Sequence, residues 1–217
     1  MRARKVLIFA FCLTIIAIFF FASGLSAQNI TLGLSISEGE VRDFYLSISS
    51  YFKVPEARIL EIQKSYRLAD EELPVVFFIA ARARVEPVAV LNLRVKGMSW
   101  WDISVHFGLS PEIFFIPVGL VRIGPPYGRA YGYYHQYRQQ KTWGKVILND
   151  VDVVNLVNLR FISEHHQIPP ERVMEMRGRG EKFLDIHDKI IKEKGQSEAS
   201  DKDKSKDQPV KKTKRKK

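Results

Sequence analysis

Apolar positions along this chain fall into a phrase written four times in degenerate form. Its first apolar residues are Ile48, Ile79, Ile103 and Ile162, and a second follows six positions on, at Val54, Val85, Leu109 and Ile168. A proline stands within two positions of that second residue (Pro55, Pro87, Pro111, and Pro169 with Pro170), and the phrase closes on Ile59, Val90, Phe114 and Val173. Proline costs nothing at the opening of a helix, where its missing N–H would be unpaired anyway. The phrase therefore predicts one helix ending about five residues in, a short turn plugged by the second apolar residue, and a new helix opening at the proline. Helices joined by such short turns are antiparallel or steeply angled neighbours. The predicted fold class is all-α, built from tandem helical hairpins.

Two of the phrases agree over a longer span. Sliding the chain by 83 residues superposes Leu73 to Ile103 on Leu156 to Ile186 without a gap, matching Phe78 with Phe161, Arg94 with Arg177, Gly97 with Gly180 and Asp102 with Asp185. Trp100 meets Phe183. Each half thus ends as Arg, Gly, aromatic, Asp, Ile, which predicts a glycine stop for the second helix and a buried aromatic anchor for a third. The recurring aspartates are expected as caps or as ion-pair partners of Arg94 and Arg177. Repeats of this kind specify core and cap positions first.

The stretch Leu93 to Leu109, with its Phe107-Gly-Leu-Ser-Pro turn, resembles a helix-turn-helix domain. That resemblance implies DNA binding through the following helix. Here that position holds Pro111-Glu-Ile-Phe-Phe-Ile-Pro117, short and apolar, whereas a DNA-reading helix offers polar and basic side chains to base edges. The likeness is read as architectural, and nucleic acid is not the expected partner. The chain as a whole resembles exported bacterial proteins of no characterised family, which implies a location and no mechanism.

Between the third and fourth phrases the pattern stops. Residues 118–148 carry Pro125-Pro126 and several glycines, five of the eight tyrosines, one of three tryptophans and five cations without an acid. Turn residues of this density predict an irregular insertion. Interleaved cations and rings suit an anionic polymer, with charges for phosphate or uronate and rings for sugar or base faces. The candidate binding residues are Arg122, Tyr127, Arg129, Tyr131, Tyr133, Tyr134, Tyr137, Arg138, Lys141, Trp143 and Lys145. The alternative is a long loop whose tyrosines pack on the helical body while its basic ends stay wet.

Charge and cysteine usage sharpen the picture. The formal net charge of +10 resides at the ends: three cations and no acid in residues 1–27, and +6 in residues 192–217, against +1 for everything between. Arg2, Arg4 and Lys5 precede an apolar run from Val6 to Ala22 and the small residues Ser23 to Ala27, the order of a secretory signal. Cleavage after Ala27, or retention as an anchor helix, both send the remainder across the membrane by the positive-inside rule. The expected location is therefore periplasmic or envelope-associated. Cys12, the only cysteine, lies inside that run, so the rest of the chain has no thiol for disulfides, zinc or nucleophilic catalysis. The Ser/Asp/Lys-rich stretch from Gly195 predicts a disordered cationic tail, a tether or a solubilising end.

The predicted organisation is a signal over 1–27, helical repeats over 28–117, the insertion over 118–148, a further repeat over 149–194 and the tail over 195–217. No catalytic constellation accompanies it. His165 and His166 point about 100° apart on a helix and do not share a ligand geometry, and no phosphate-binding glycine loop or strained serine turn is present. No metal or cofactor is expected. The sequence reads as a non-enzymatic exported scaffold or binding module whose partner is an anionic envelope polymer, lipid headgroups or an acidic protein surface. The alternatives are the DNA-binding reading and an envelope-polymer hydrolase using residues such as Glu164 or His135.

Overall fold

The four phrases fold alike at their turns. In the computed structural model, which describes residues 36–119, 123–138 and 143–206, the residue five after each leading isoleucine is left-handed: Lys53 (φ 59°), Arg84 (57°), Gly108 (69°) and Gln167 (53°). The next N–H then bonds back to the carbonyl just after that isoleucine, in Val54 to Ser49 (3.1 Å), Val85 to Ala80 (3.0 Å), Leu109 to Ser104 (2.9 Å) and Ile168 to Ser163 (3.0 Å). This long back-bond closes a helix and satisfies a terminal carbonyl. Both outer apolar positions of all four phrases are fully buried.

The described residues are helical, with no strands. The α-helices are α1 (Ile36–Phe52), α2 (Glu56–Tyr66), α3 (Leu73–Ala83), α4 (Pro87–Val95), α5 (Trp100–His106), α6 (Gly128–Tyr137), α7 (Asp150–His166), α8 (Pro170–Gly178) and α9 (Phe183–Lys206). Short 3-10 turns occupy Asp70–Glu72, Pro111–Phe114 and Trp143–Lys145. Helix α3 is buried on every side from Leu73 to Ala80, as its all-round apolarity requires. It packs on α7, with α1 against both and α9 lying along α1.

Arginine staples recur at the same 83-residue offset. Arg94 donates to the Met98 carbonyl (3.1 Å), to Glu72 (2.8 Å) and to Asp150 (2.6 Å), while its guanidinium sits 4.4 Å over the Trp100 ring. Arg177 donates to the Glu181 carbonyl (3.0 Å) and to Asn155 (3.0 Å), pairs with Glu71 (3.6 Å), and sits 4.6 Å over Phe183. The backbone N–H of Trp100 is capped by Asp150, that of Phe183 by Glu71. Arg94 is thus held by the turn before α3 and the start of α7, and Arg177 by α7 and that same turn. Gly97 (φ 86°) and Gly180 (φ 89°) make the turns that bring the aromatics under the guanidinium groups.

Of the two roles expected for Asp102, it takes the one at the cap: it accepts from Ser99, which caps α5, while Glu72 and Asp150 surround the Arg94 guanidinium. Two other details differ from expectation. The stretch expected to be irregular contains helix α6. Tyr127, Ala130, Tyr131 and Tyr134 recur at i, i+3, i+4 and i+7, so one apolar face outweighs the glycines. The tail expected to be disordered from Gly195 continues α9 to Lys206. An isolated glycine costs a helix only about 1 kcal/mol, and lysine and glutamate propagate helix well. Residues 207–217, like the predicted signal over 1–27, lie outside the described residues.

Candidate functional site

Helix α6 divides the predicted binding residues into two groups. Tyr127, Tyr131 and Trp143 face inward, at 1%, 0% and 7% exposure. Tyr131 donates to the Ile116 carbonyl (3.0 Å), and its ring meets Phe115 edge-on. Phe115 in turn stacks on Tyr134 (5.2 Å) and Trp143 (5.8 Å). Burial raises the hydroxyl pKa of Tyr127 and of Tyr131 well above the phenol range. These three side chains are core, and their ring faces are not offered to a polymer. At the start of the helix, a Cβ on Gly128 would stand 2.7 Å from the Ile123 carbonyl oxygen, so only glycine lets the chain enter α6 this closely.

The outer group comprises Tyr133, Tyr134 and Tyr137, half-buried, and Arg129, Arg138 and Lys145, exposed. Tyr133 and Tyr137 stack with ring centres 6.4 Å apart and planes 26° apart. Arg138 lies 5.4 Å from the centre of the Tyr134 ring. Arg129 pairs with Asp152, whose carboxylate is buried and also accepts from the Asn149 N–H (3.1 Å) in the capping box of α7. That bond raises the Arg129 pKa and ties α6 to the start of α7, so Arg129 anchors the helix instead of facing a partner. Among the described residues no carboxylate pairs with Arg138 or Lys145. Arg122 and Lys141 lie outside the described residues.

A cleft of about 600 Å³ opens beside this helix, lined by Ile123, Pro125, Tyr127, Pro169 and Met174, with Glu171, Arg172 and Glu175 adding charge. Glu171 accepts from the Gly119 N–H (2.6 Å), fixing one side of the cleft to α8.

Elsewhere, polar groups are spent internally. The position that a DNA-reading helix would occupy is the 3-10 turn Pro111–Phe114, with Pro111 and Phe114 buried. Glu164 is taken by Tyr51 and Arg160, and Arg160 also donates to the Phe115 carbonyl (2.5 Å). His165, His166 and His187 form a ring chain, with centres 4.8 and 4.9 Å apart along it. Sequence reasoning missed His187, which sits 21 positions beyond His166 and reaches it only because α9 returns along α7. Among the described residues no three His, Cys, Asp or Glu side chains are arranged to hold a metal ion, and no helix is long and apolar enough to cross a membrane. No family model, curated protein or solved structure matches the chain.

Proposed function

We propose that this chain is a non-enzymatic exported helical-repeat protein that docks an anionic envelope polymer on the outer face of α6. The observation that carries the reading is the stacked Tyr133–Tyr137 pair with Arg138 at the end of the same helix, over the Tyr134 ring; the helix is pinned from behind by Tyr131 and at its start by Arg129–Asp152. Stacked rings and an exposed cation on one short helix suit a chain of acidic sugars, which offers flat faces and carboxylates in alternation. A helix already held in place loses little entropy on binding. The acid-free composition of residues 118–148 supports the same partner.

The body is read as a duplicated three-helix unit, α3–α5 followed by α7–α9. The 83-residue offset in sequence, turn geometry and arginine partners supports this. Export is supported by the order of cations, apolar run and small residues at the N-terminus. The cationic C-terminal stretch adds salt-sensitive attraction to the same class of partner.

The test is an affinity titration of the protein with polygalacturonate at 20 and 300 mM salt. Wild type binds at low salt and weakens at least tenfold at high salt. Combined Tyr137→Ala, Arg138→Ala and Lys145→Ala substitutions weaken low-salt binding by a factor of about ten or more, each contact being worth about 0.5–1 kcal/mol. Equal binding by wild type and the triple variant would overturn the assignment of the site.

A further inference from the structure

The contacts between α9 and the body include one buried polar cluster with incomplete bonding among the described residues. His187 of α9 is wholly buried, its Nε2 2.8 Å from Ser47 Oγ of α1. Its ring stands edge-on to Phe44 (5.3 Å) and to His166 of α7 (4.9 Å). Among the described residues, His187 Nδ1 and His166 Nε2 are buried with no hydrogen-bond partner. A neutral imidazole tolerates one bare ring nitrogen as an unused acceptor. A protonated ring carries two N–H donors, and here one of them would point into apolar surroundings with nothing to receive it.

The charges around the pair give a proton no welcome. On α1, Glu40 pairs with Lys192; on α7, Glu164 bonds Tyr51 and Arg160. On α8, Arg172 pairs with Glu193; on α9 itself, Asp188 pairs with Lys192. In the turn Asp70–Glu72, Asp70 accepts from Tyr45, and Glu71 is held by Arg177 and the Phe183 N–H. No carboxylate reaches either ring. The nearby cations, Lys194 on the His166 carbonyl and Lys53 beside His165, repel a further positive charge.

We propose that the His166–His187 pair is an acid-operated latch: while both rings are neutral α9 lies docked on α1 and α7, and protonation of either ring undocks it. The other contacts of α9 in this region are the apolar Phe183, Ile186 and Ile190, the Phe183 N–H on Glu71, Lys194 on the His166 carbonyl, and exposed ion pairs, which acid weakens but does not invert. This device belongs to the core and is independent of what the face of α6 binds.

Desolvation lowers the His187 pKa to about 3 and that of His166 to about 4 from an ordinary 6.5. Opening α9 restores the ordinary value, so acid favours the open form. By linkage, opening at pH 5 is favoured about 30-fold over neutral pH if His187 alone is solvated, and about a thousandfold if both are.

The experiment is hydrogen exchange of the full chain at pH 7.5 and 5.0, corrected for intrinsic rates, reading the peptide over residues 183–194. Its protection is expected to fall at least 30-fold in wild type, while α3 changes much less. In His187→Phe the fall is expected to be about 30-fold smaller than in wild type, because only the His166 contribution remains. Undiminished protection in wild type, or an equally steep fall in the variant, would overturn the latch. Should the variant not fold, the wild-type ring resonances decide: titration of both histidines near pH 6.5 with α9 still docked would rule it out, and protonation that coincides with loss of α9 protection supports it.

Discussion

At Lys53 and Arg84 a side chain with a Cβ occupies left-handed backbone, at φ 59° and 57°. That conformation costs an L-residue about 1 kcal/mol or more relative to glycine, which pays instead in unfolded-chain entropy. The chain uses glycine at the equivalent Gly108 and at Gly97 and Gly180. Arg84→Gly is therefore expected to stabilise the fold by about 0.5 kcal/mol in urea denaturation. Gly97→Ala, at φ 86°, is expected to destabilise it by about 1 kcal/mol. A loss of stability in Arg84→Gly would show that the arginine side chain has a partner in the fold. None of this strain was legible beforehand: the phrase marks where a helix ends, while basic residues at three of the four non-glycine left-handed positions, Lys53, Arg67 and Arg84, run against ordinary turn chemistry.

Elements were legible to the degree that apolar spacing decides them. The four turns follow from apolar positions six apart and a nearby proline, and they fold with the same back-bond. Helix α6 was hidden because Pro125 and Pro126 stand just before it and Gly128 and Gly132 lie within it, although the i, i+3, i+4, i+7 run of Tyr127, Ala130, Tyr131 and Tyr134 was present. The arginine staples were half visible. Arg94 and Arg177 stood out by their spacing from Trp100 and Phe183, but Glu71, Glu72 and Asp150 are distant in sequence and arrive only through packing of α3 on α7. Arg94 is three-quarters buried between Glu72 and Asp150. Arg94→Ala is accordingly expected to cost about 2–3 kcal/mol, since it strands two carboxylates and removes the stacking on Trp100. Arg94→Lys is expected to recover less than half, because an ammonium cannot bond three partners and cover an indole at once. Equal stabilities of the alanine and lysine variants in the same denaturation series would contradict the staple.

Over the whole molecule, stability and binding respond to different solution variables. The lowered pKa values of His166 and His187 make their contribution to stability complete above about pH 6.5, and it is lost as pH falls toward 4 and then 3. Below pH 6.5 unfolding free energy is expected to drop by about 1.4 kcal/mol per pH unit for each buried histidine. Urea midpoints that stay level between pH 6.5 and 5 would contradict this. Binding to an anionic partner is governed instead by salt. The candidate site itself was legible only in part. Composition pointed to residues 118–148, but it could not tell that Tyr127, Tyr131 and Trp143 turn inward, that Arg129 is spent on Asp152, and that Tyr133, Tyr137, Arg138 and Lys145 are left outside. Burial depends on the partners of α6, Ile116 and Phe115, which no local pattern connects to it.

The most direct measurement is a hydrogen-exchange footprint of the full chain with and without polygalacturonate at 20 mM salt and pH 7.5. The proposed function predicts slowed exchange concentrated in α6 and the segment around Lys145, with α3 and α4 unchanged. A footprint confined to other helices, or none under conditions where the polymer is bound, would contradict docking on this face.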